Sequence, residues 1–183
     1  GGANLSLGEA AGSAGTFGGL AVTSLAAIAA LLGGFYEADN DPSDEEKPGA
    51  KFVAEVKCSQ ATFDALDAAG GSCEMWKVGH SLIKARMKET GAALAGEMSG
   101  HMFFSHRWLG FDDAIYVAVR LLDILARSEQ RLEAMIDRLP PVFNTPEIRV
   151  ECDEARKFAI VEEVKERLRR RGAEFSDIDG VRV

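Results

Sequence analysis

From residue 96 to residue 101 the chain reads Gly-Glu-Met-Ser-Gly-His, setting a carboxylate (Glu97), a hydroxyl (Ser99) and an imidazole (His101) at alternate positions between two glycines. In an extended segment the side-chain period is two, so these three groups are expected on one face, with Met98 on the other. A polyol suits such a face. A carboxylate accepts from two neighbouring hydroxyls, and a serine hydroxyl both donates and accepts. The glycines lift steric limits on the backbone and let a ligand approach closely. The bland alternative is a polar strand end with no ligand.

The elements around this hexapeptide supply two more candidates. An apolar run over 92–95 reads as a short buried strand that delivers Glu97 and Ser99. Before it, 51–57 has strand composition, and Ser59 can cap a helix whose Phe63, Leu66 and Ala69 share a face until Gly70-Gly71 stops it. A second strand over 72–78 leads through Gly79-His80-Ser81 into a helix over 82–89, stopped at Gly91. This rhythm implies an α/β sandwich with a largely parallel sheet. Ligands collect at the carboxyl ends of such strands. Lys57 ends the first strand, His80 follows the second at a helix N-terminus, and Glu97 and Ser99 end the third. Taken singly, Lys57 reads as a solvated lysine and His80 as a capping or packed histidine. Their shared edge makes them candidates, because a helix N-terminus and a lysine together favour a phosphate.

Downstream, 102–104 reads as another strand and 107–111 as a loop whose aromatics belong to the core. Asp112 and Asp113 open a helix to 127 with Ile115, Val119, Leu122 and Ala126 at helical spacing. Adjacent residues on a helix face different directions, so capping is preferred to an acid–base pair. A further helix over 131–138 ends at Pro140-Pro141, the clearest domain boundary. Beyond it come an expected strand over 142–151 and a helix capped by Asp153 and reaching 171, with Phe158, Val161, Val164 and Leu168 as its apolar side. Gly172 stops that helix, and 179–183 reads as a turn and an incipient strand.

The N-terminal stretch differs in style. Residues 10–36 carry no charge and are rich in Gly, Ala, Ser and Thr. A short helix over 22–32 is preferred to a membrane span, because the glycines weaken the hydrophobicity and no basic residues precede it. The acidic run over 37–46 lacks the central glycine and late glutamate of a calcium loop and reads as a solvated linker. The formal charge of the 183 residues is −8, which argues against nucleic-acid binding. Residues 51–107 nonetheless hold seven bases against six acids, a balance compatible with a phosphorylated small molecule. Cys58, Cys73 and Cys152 are too few and scattered for a disulfide framework, so reduced thiols in the cytoplasm are expected. His101 and His106 lack the i,i+4 helical spacing and an obvious third ligand, so no metal site is expected.

Gly96-Glu-Met-Ser-Gly-His101, with Lys57-Cys-Ser59 and Trp76-Lys-Val-Gly-His-Ser-Leu-Ile-Lys84 before it and Gly110-Phe-Asp-Asp113 after it, resembles the α-D-phosphohexomutases of the phosphomannomutase/phosphoglucomutase type. The resemblance runs from about Pro48 to the end of the sequence. It implies a three-layer α/β/α sandwich with a mixed, mainly parallel sheet over 49–139, the family's third domain. An incomplete α+β C-terminal domain over 140–183 follows, and 1–48 stay unassigned. It also implies a phosphorylated hexose as substrate, a glucose or mannose phosphate, isomerised between its 1- and 6-phosphates by intramolecular phosphoryl transfer through a bisphosphorylated sugar. Glu97 and Ser99 match the family residues that hold two ring hydroxyls, and Lys57, His80 and His101 match other substrate-binding positions. The family's phosphoserine and Mg2+ loops, of Ser-Ala-Ser-His-Asn and Asp-Gly-Asp-x-Asp-Arg type, have no counterpart in these 183 residues. The sequence alone is therefore expected to be inactive. The alternative is a non-catalytic sugar-phosphate-binding or interaction module.

Overall fold

The computed structural model describes residues 49–137 and 148–183, which fall into two compact units. The readings for 1–48, the Pro140-Pro141 boundary and the first part of the strand expected from 142 lie outside the described residues.

In the first unit the sheet is built outward from β1 (Lys51–Glu55), whose last four residues are all buried. Such a run, apolar at three successive positions before Glu55, suits a central strand covered on both faces. It pairs in parallel with β2 (Ser72–Trp76) on one side and β3 (Leu94–Gly96) on the other. β4 (Met102–Phe104) adds to β3 antiparallel, giving the order β2-β1-β3-β4. The period of two divides the core. Phe52, Ala54, Leu94, Met102 and Phe104 pack with Phe63 and Leu66 of helix α1 (Gln60–Ala68) and Ile124 of helix α3 (Ala114–Arg127). Val53, Ala95 and Phe103 pack with Ile83 and Met87 of helix α2 (His80–Thr90). The result is the expected three-layer α/β/α sandwich with a mainly parallel sheet. Ile83, fully buried, represents the larger contributions to this packing, about 1.5–3 kcal/mol for a side chain of its size.

Local signals set the helix ends as expected. The Ser59 hydroxyl accepts from the Ala61 N–H at 3.3 Å, and the Asp113 carboxylate accepts from the N–H groups of Ile115 and Tyr116 at 3.0 Å each. Gly91 closes α2 in the left-handed conformation, with φ 69°. A short helix α4 (Leu132–Ile136) follows.

Three expectations need correction. β1 ends at Glu55, so Lys57 lies in the turn that follows and not in the strand. Ile115, Val119 and Leu122 share a helical face, yet they are exposed; the buried residue of α3 is Ile124, backed by Tyr116 and Val117. Trp108 and Phe111 are exposed as well, and Trp108 stacks on Tyr116 at 4.4 Å between ring centroids instead of entering the core.

In the second unit, 148–151 form no strand, and helix α5 (Lys157–Arg170) begins after a turn at 154–156 in which the Asp153 carboxylate accepts from Ala155 N–H at 2.9 Å. None of its residues is buried, Phe158 and Val164 included. Gly172 ends it with φ 65°, and the final turn carries an isolated antiparallel bridge between Ser176 and Arg182. Among the described residues no helix is long and apolar enough to cross a membrane.

Gly71 joins α1 to β2 where the backbone runs against the core. A Cβ there would stand 2.5 Å from the Phe52 ring and 3.1 Å from the Leu66 carbonyl oxygen. Gly71→Ala is expected to lower stability by about 1–3 kcal/mol through overpacking, read as a lower urea midpoint with an unchanged slope.

Candidate functional site

Three strand ends and one hairpin converge on the carboxyl edge of the sheet, where ligands of parallel sheets gather. Beyond β1 lies the turn with Lys57. Beyond β2 the chain passes Gly79 and enters α2 at His80. Beyond β3 it reaches Glu97 and reverses at once: the Gly100 N–H donates to the Glu97 carbonyl at 3.0 Å, and the Glu97 N–H donates to the His101 carbonyl at 2.9 Å. Gly100 takes φ 94°, a conformation that glycine adopts without penalty.

The expected extended alternation across 97–101 therefore does not hold. The hexapeptide is a tight hairpin between β3 and β4, because the glycine permits the reversal and the antiparallel partner supplies the hydrogen bonds. Glu97 and His101 face each other across the mouth of the hairpin, while Ser99 lies exposed at its tip. The two ends of the motif meet by pairing, not by strand period.

Glu97 is the centre of the cluster. It is 4% exposed, and a carboxylate so buried needs partners for both oxygens. Oε1 accepts from the Gly79 N–H at 3.1 Å, and Oε2 lies 3.1 Å from His80 Nε2. The carboxylate thus tethers the start of α2, where partial positive charge favours it. No acidic residue of the helix's own first turn competes for that place. Gly79 holds φ 125°, outside the range of ordinary side chains, as it turns its N–H toward Glu97. The His80 ring meets the His101 ring edge-on at 4.3 Å between centroids and the Phe103 ring edge-on at 5.4 Å. His101 is oriented in turn by Asp112, whose Oδ2 lies 2.6 Å from its Nδ1 and accepts the ring proton.

His80, Glu97 and His101 are accordingly brought together. Lys57 is connected less directly: its Nζ lies 3.8 Å from Glu55 Oε1, and that same oxygen accepts from the Met98 N–H at 2.7 Å. Lys57 and the hairpin thus share one carboxylate.

Two residues of this arrangement were not singled out by sequence reasoning. Glu55, 1% exposed, braces the hairpin. Its signal was a carboxylate inside a strand otherwise apolar enough to be covered on both faces. Asp112 was read with Asp113 as part of a helix cap; Asp113 alone does the capping, and Asp112 holds His101. Adjacent residues facing different ways was the correct premise, but it implied different tasks for the two acids. The two histidines offered for a metal, His101 and His106, are likewise not the pair that meets. One nitrogen or oxygen from each of His80, Glu97 and His101 lies within 4.8 Å of the others.

The profile described as "Phosphoglucomutase/phosphomannomutase, alpha/beta/alpha domain III" matches residues 27–143. A phosphomannomutase/phosphoglucomutase of Pseudomonas aeruginosa is 47% identical over 136 residues, 74% of this chain and 29% of the relative. A phosphoglucomutase of Neisseria gonorrhoeae is 44% identical over 138 residues, 74% of this chain and 30% of the relative. A solved structure of a phosphoglucomutase/phosphomannomutase family protein from Burkholderia thailandensis superposes with a TM-score of 0.72 at 38% identity, covering 86% of this chain and 32% of that one. The chain thus spans less than a third of the length of these relatives.

The brace from Glu55 gives a direct expectation. Glu55→Ala leaves the Met98 N–H without its acceptor, a loss of about 1–3 kcal/mol locally. Amide exchange at Met98 should then accelerate by roughly one to two orders of magnitude, with exchange in α3 unchanged. Equal acceleration at both places would show that Glu55 supports the fold as a whole and not the hairpin.

Proposed function

The chain belongs to the phosphoglucomutase/phosphomannomutase family, and from that premise we propose that 49–139 act as the sugar-recognition domain of a mutase interconverting hexose 1-phosphate and hexose 6-phosphate. In this reading 140–183 begin the family's C-terminal domain. Glu97 and Ser99 receive ring hydroxyls, while Lys57, His80 and His101 face the phosphate and the charge that moves during transfer.

The observation that carries the reading is the buried Glu97 carboxylate, held at both oxygens beside a hairpin tip that offers Ser99 to solvent. An ionised carboxylate has about four acceptor positions, and only two are used by Gly79 and His80. The remainder suit two neighbouring hydroxyls, with Ser99 able to donate or accept. A transfer that runs in both directions presents the sugar in two orientations. A pair of acceptor-rich groups serves either one, because exchanging two adjacent hydroxyls leaves the hydrogen-bonding pattern similar. The Lys57 ammonium and the N-terminus of α2 add positive potential for a phosphate.

Phosphoryl transfer rests on positioning and charge neutralisation. The family reading assigns those tasks to a phosphoserine and to Mg2+. The residues gathered here do not fit that ion: two imidazoles and a single carboxylate contrast with the all-oxygen octahedral set that Mg2+ takes. Cys58, Cys73 and Cys152 form no disulfide, which agrees with a reducing, cytoplasmic setting.

Calorimetric titration with glucose 1,6-bisphosphate is expected to give weak saturable binding that Glu97→Ala and Ser99→Ala each abolish. Unchanged affinity in both variants would remove Glu97 and Ser99 from the sugar site. In a turnover assay with glucose 1-phosphate or mannose 1-phosphate, the 183 residues alone are expected to show no mutase rate. A rate like that of an intact family member would overturn the assignment of transfer chemistry to parts other than these.

A further inference from the structure

We propose that His80, Glu97 and His101 form a site for a borderline-soft divalent cation such as Zn2+, set in the mouth of the β3–β4 hairpin. The donor set comes first. Two imidazole nitrogens and a carboxylate oxygen suit zinc and its neighbours, whereas Mg2+ and Ca2+ prefer oxygen alone. The spacing comes second. His80 Nε2 and Glu97 Oε2 are 3.1 Å apart, close to the roughly 3.3 Å that separates two ligands on a tetrahedral ion with bonds of about 2.0–2.1 Å. The ion takes the position of the proton between these two atoms, and the neutral His80 ring then carries its proton on Nδ1. The third ligand atom lies within 4.8 Å of the other two. His101 is 43% exposed in its side chain, which leaves it room to close the remaining distance.

The supporting contacts carry the inference further. Metal-binding histidines characteristically donate their second ring N–H to a carboxylate or carbonyl, which fixes the tautomer and raises ligand basicity. His101 already does so: its Nδ1–H points at Asp112 Oδ2 at 2.6 Å, leaving the Nε2 lone pair available. Glu97 is likewise held from behind, with Oε1 on the Gly79 N–H. His80 is 44% exposed in its side chain, so an ion has a way in and water can complete its coordination. Three protein ligands with one open position is the coordination of a reactive or exchangeable zinc, not of a closed structural one.

Competing ligands are few in this unit. Burial, helped by Asp67 and Glu74, pushes the Cys73 thiol up to about 12, so it stays protonated. Cys58 is buried, and Cys152 is the exposed thiol. The metal site does not rest on the sugar-binding reading.

The test is Zn2+ titration of the full 183-residue chain carrying Cys152→Ser, without sugar, by calorimetry, with Co2+ absorption as a second signal. One ion per chain is expected, with no heat from Mg2+. His80→Ala and His101→Ala should each weaken binding at least roughly tenfold, and Asp112→Asn, which keeps all three ligands, by roughly 10–100-fold. Both histidines are exposed enough for truncation to spare the fold, which circular dichroism checks; His80→Gln and His101→Gln replace any variant that unfolds. Zinc affinity unchanged in both histidine variants, or absent once Cys152 is replaced, would overturn the site. A chain that binds zinc here but no glucose 1,6-bisphosphate would keep the metal site and lose the sugar reading; the converse would do the reverse.

Discussion

Everything at the carboxyl edge of the sheet depends on keeping one carboxylate out of water. Burying an unpaired charge costs several kcal/mol even after relaxation, so the surrounding backbone has to supply what solvent would. Glu97 receives that supply from Gly79 and His80. Both belong to the junction between β2 and α2, two elements away in sequence. The requirement joins a hairpin, a strand-to-helix turn and a helix N-terminus through shared hydrogen bonds. It also explains the strained place in that turn: with φ at 125°, Gly79 tolerates what a residue with a Cβ would resist, although a Cβ there would meet nothing within 4 Å. The restriction is conformational, not spatial.

The sheet makes this meeting possible. β1, β2 and β3 are parallel, so each delivers its carboxyl end to the same edge, and the antiparallel β4 returns His101 to that edge after a short reversal. Had β4 left the sheet, His101 would have no reason to stand opposite Glu97. A second buried carboxylate, Glu55 at the end of β1, repeats the device on the neighbouring strand by holding Met98 N–H. Two buried acids, one at the end of β1 and one just past β3, thus hold the same edge: Glu55 braces the turn, and Glu97 ties it to the start of α2.

The fold was largely legible because its signals are local. Ser59, Asp113, Gly91 and Gly172 act within a turn of where they stand, and the apolar run of β1 is explained by burial on both faces. What could not be read was set by pairing and tertiary contact. The alternation of Glu97, Ser99 and His101 suggested one extended face. The same residues form a hairpin, because Gly100 permits the reversal and β3 offers an edge to pair with. Helical spacing identified Ile115, Val119 and Leu122 as one apolar face, but spacing does not say which face the sheet will cover, and Ile124 lies on the covered one. The site followed the same division. His80 and Glu97 were singled out from their positions at strand ends and His101 from its place in the hexapeptide, while Glu55 and Asp112 were missed because their partners are 43 and 11 residues away.

The neighbouring acids Asp112 and Asp113 have a consequence of another kind. One anchors the first turn of α3 by accepting from Ile115 and Tyr116; the other, a single peptide unit earlier, grips the ring of His101. Asp112 is also stitched to β4 through its bridge to Phe103. The start of the long helix and the aim of the imidazole are therefore fixed by two adjacent residues at the end of the sheet. A substitution that shifted the first turn of α3 would also shift the residue that orients His101, so the packing of that helix and the aim of that histidine are not independent.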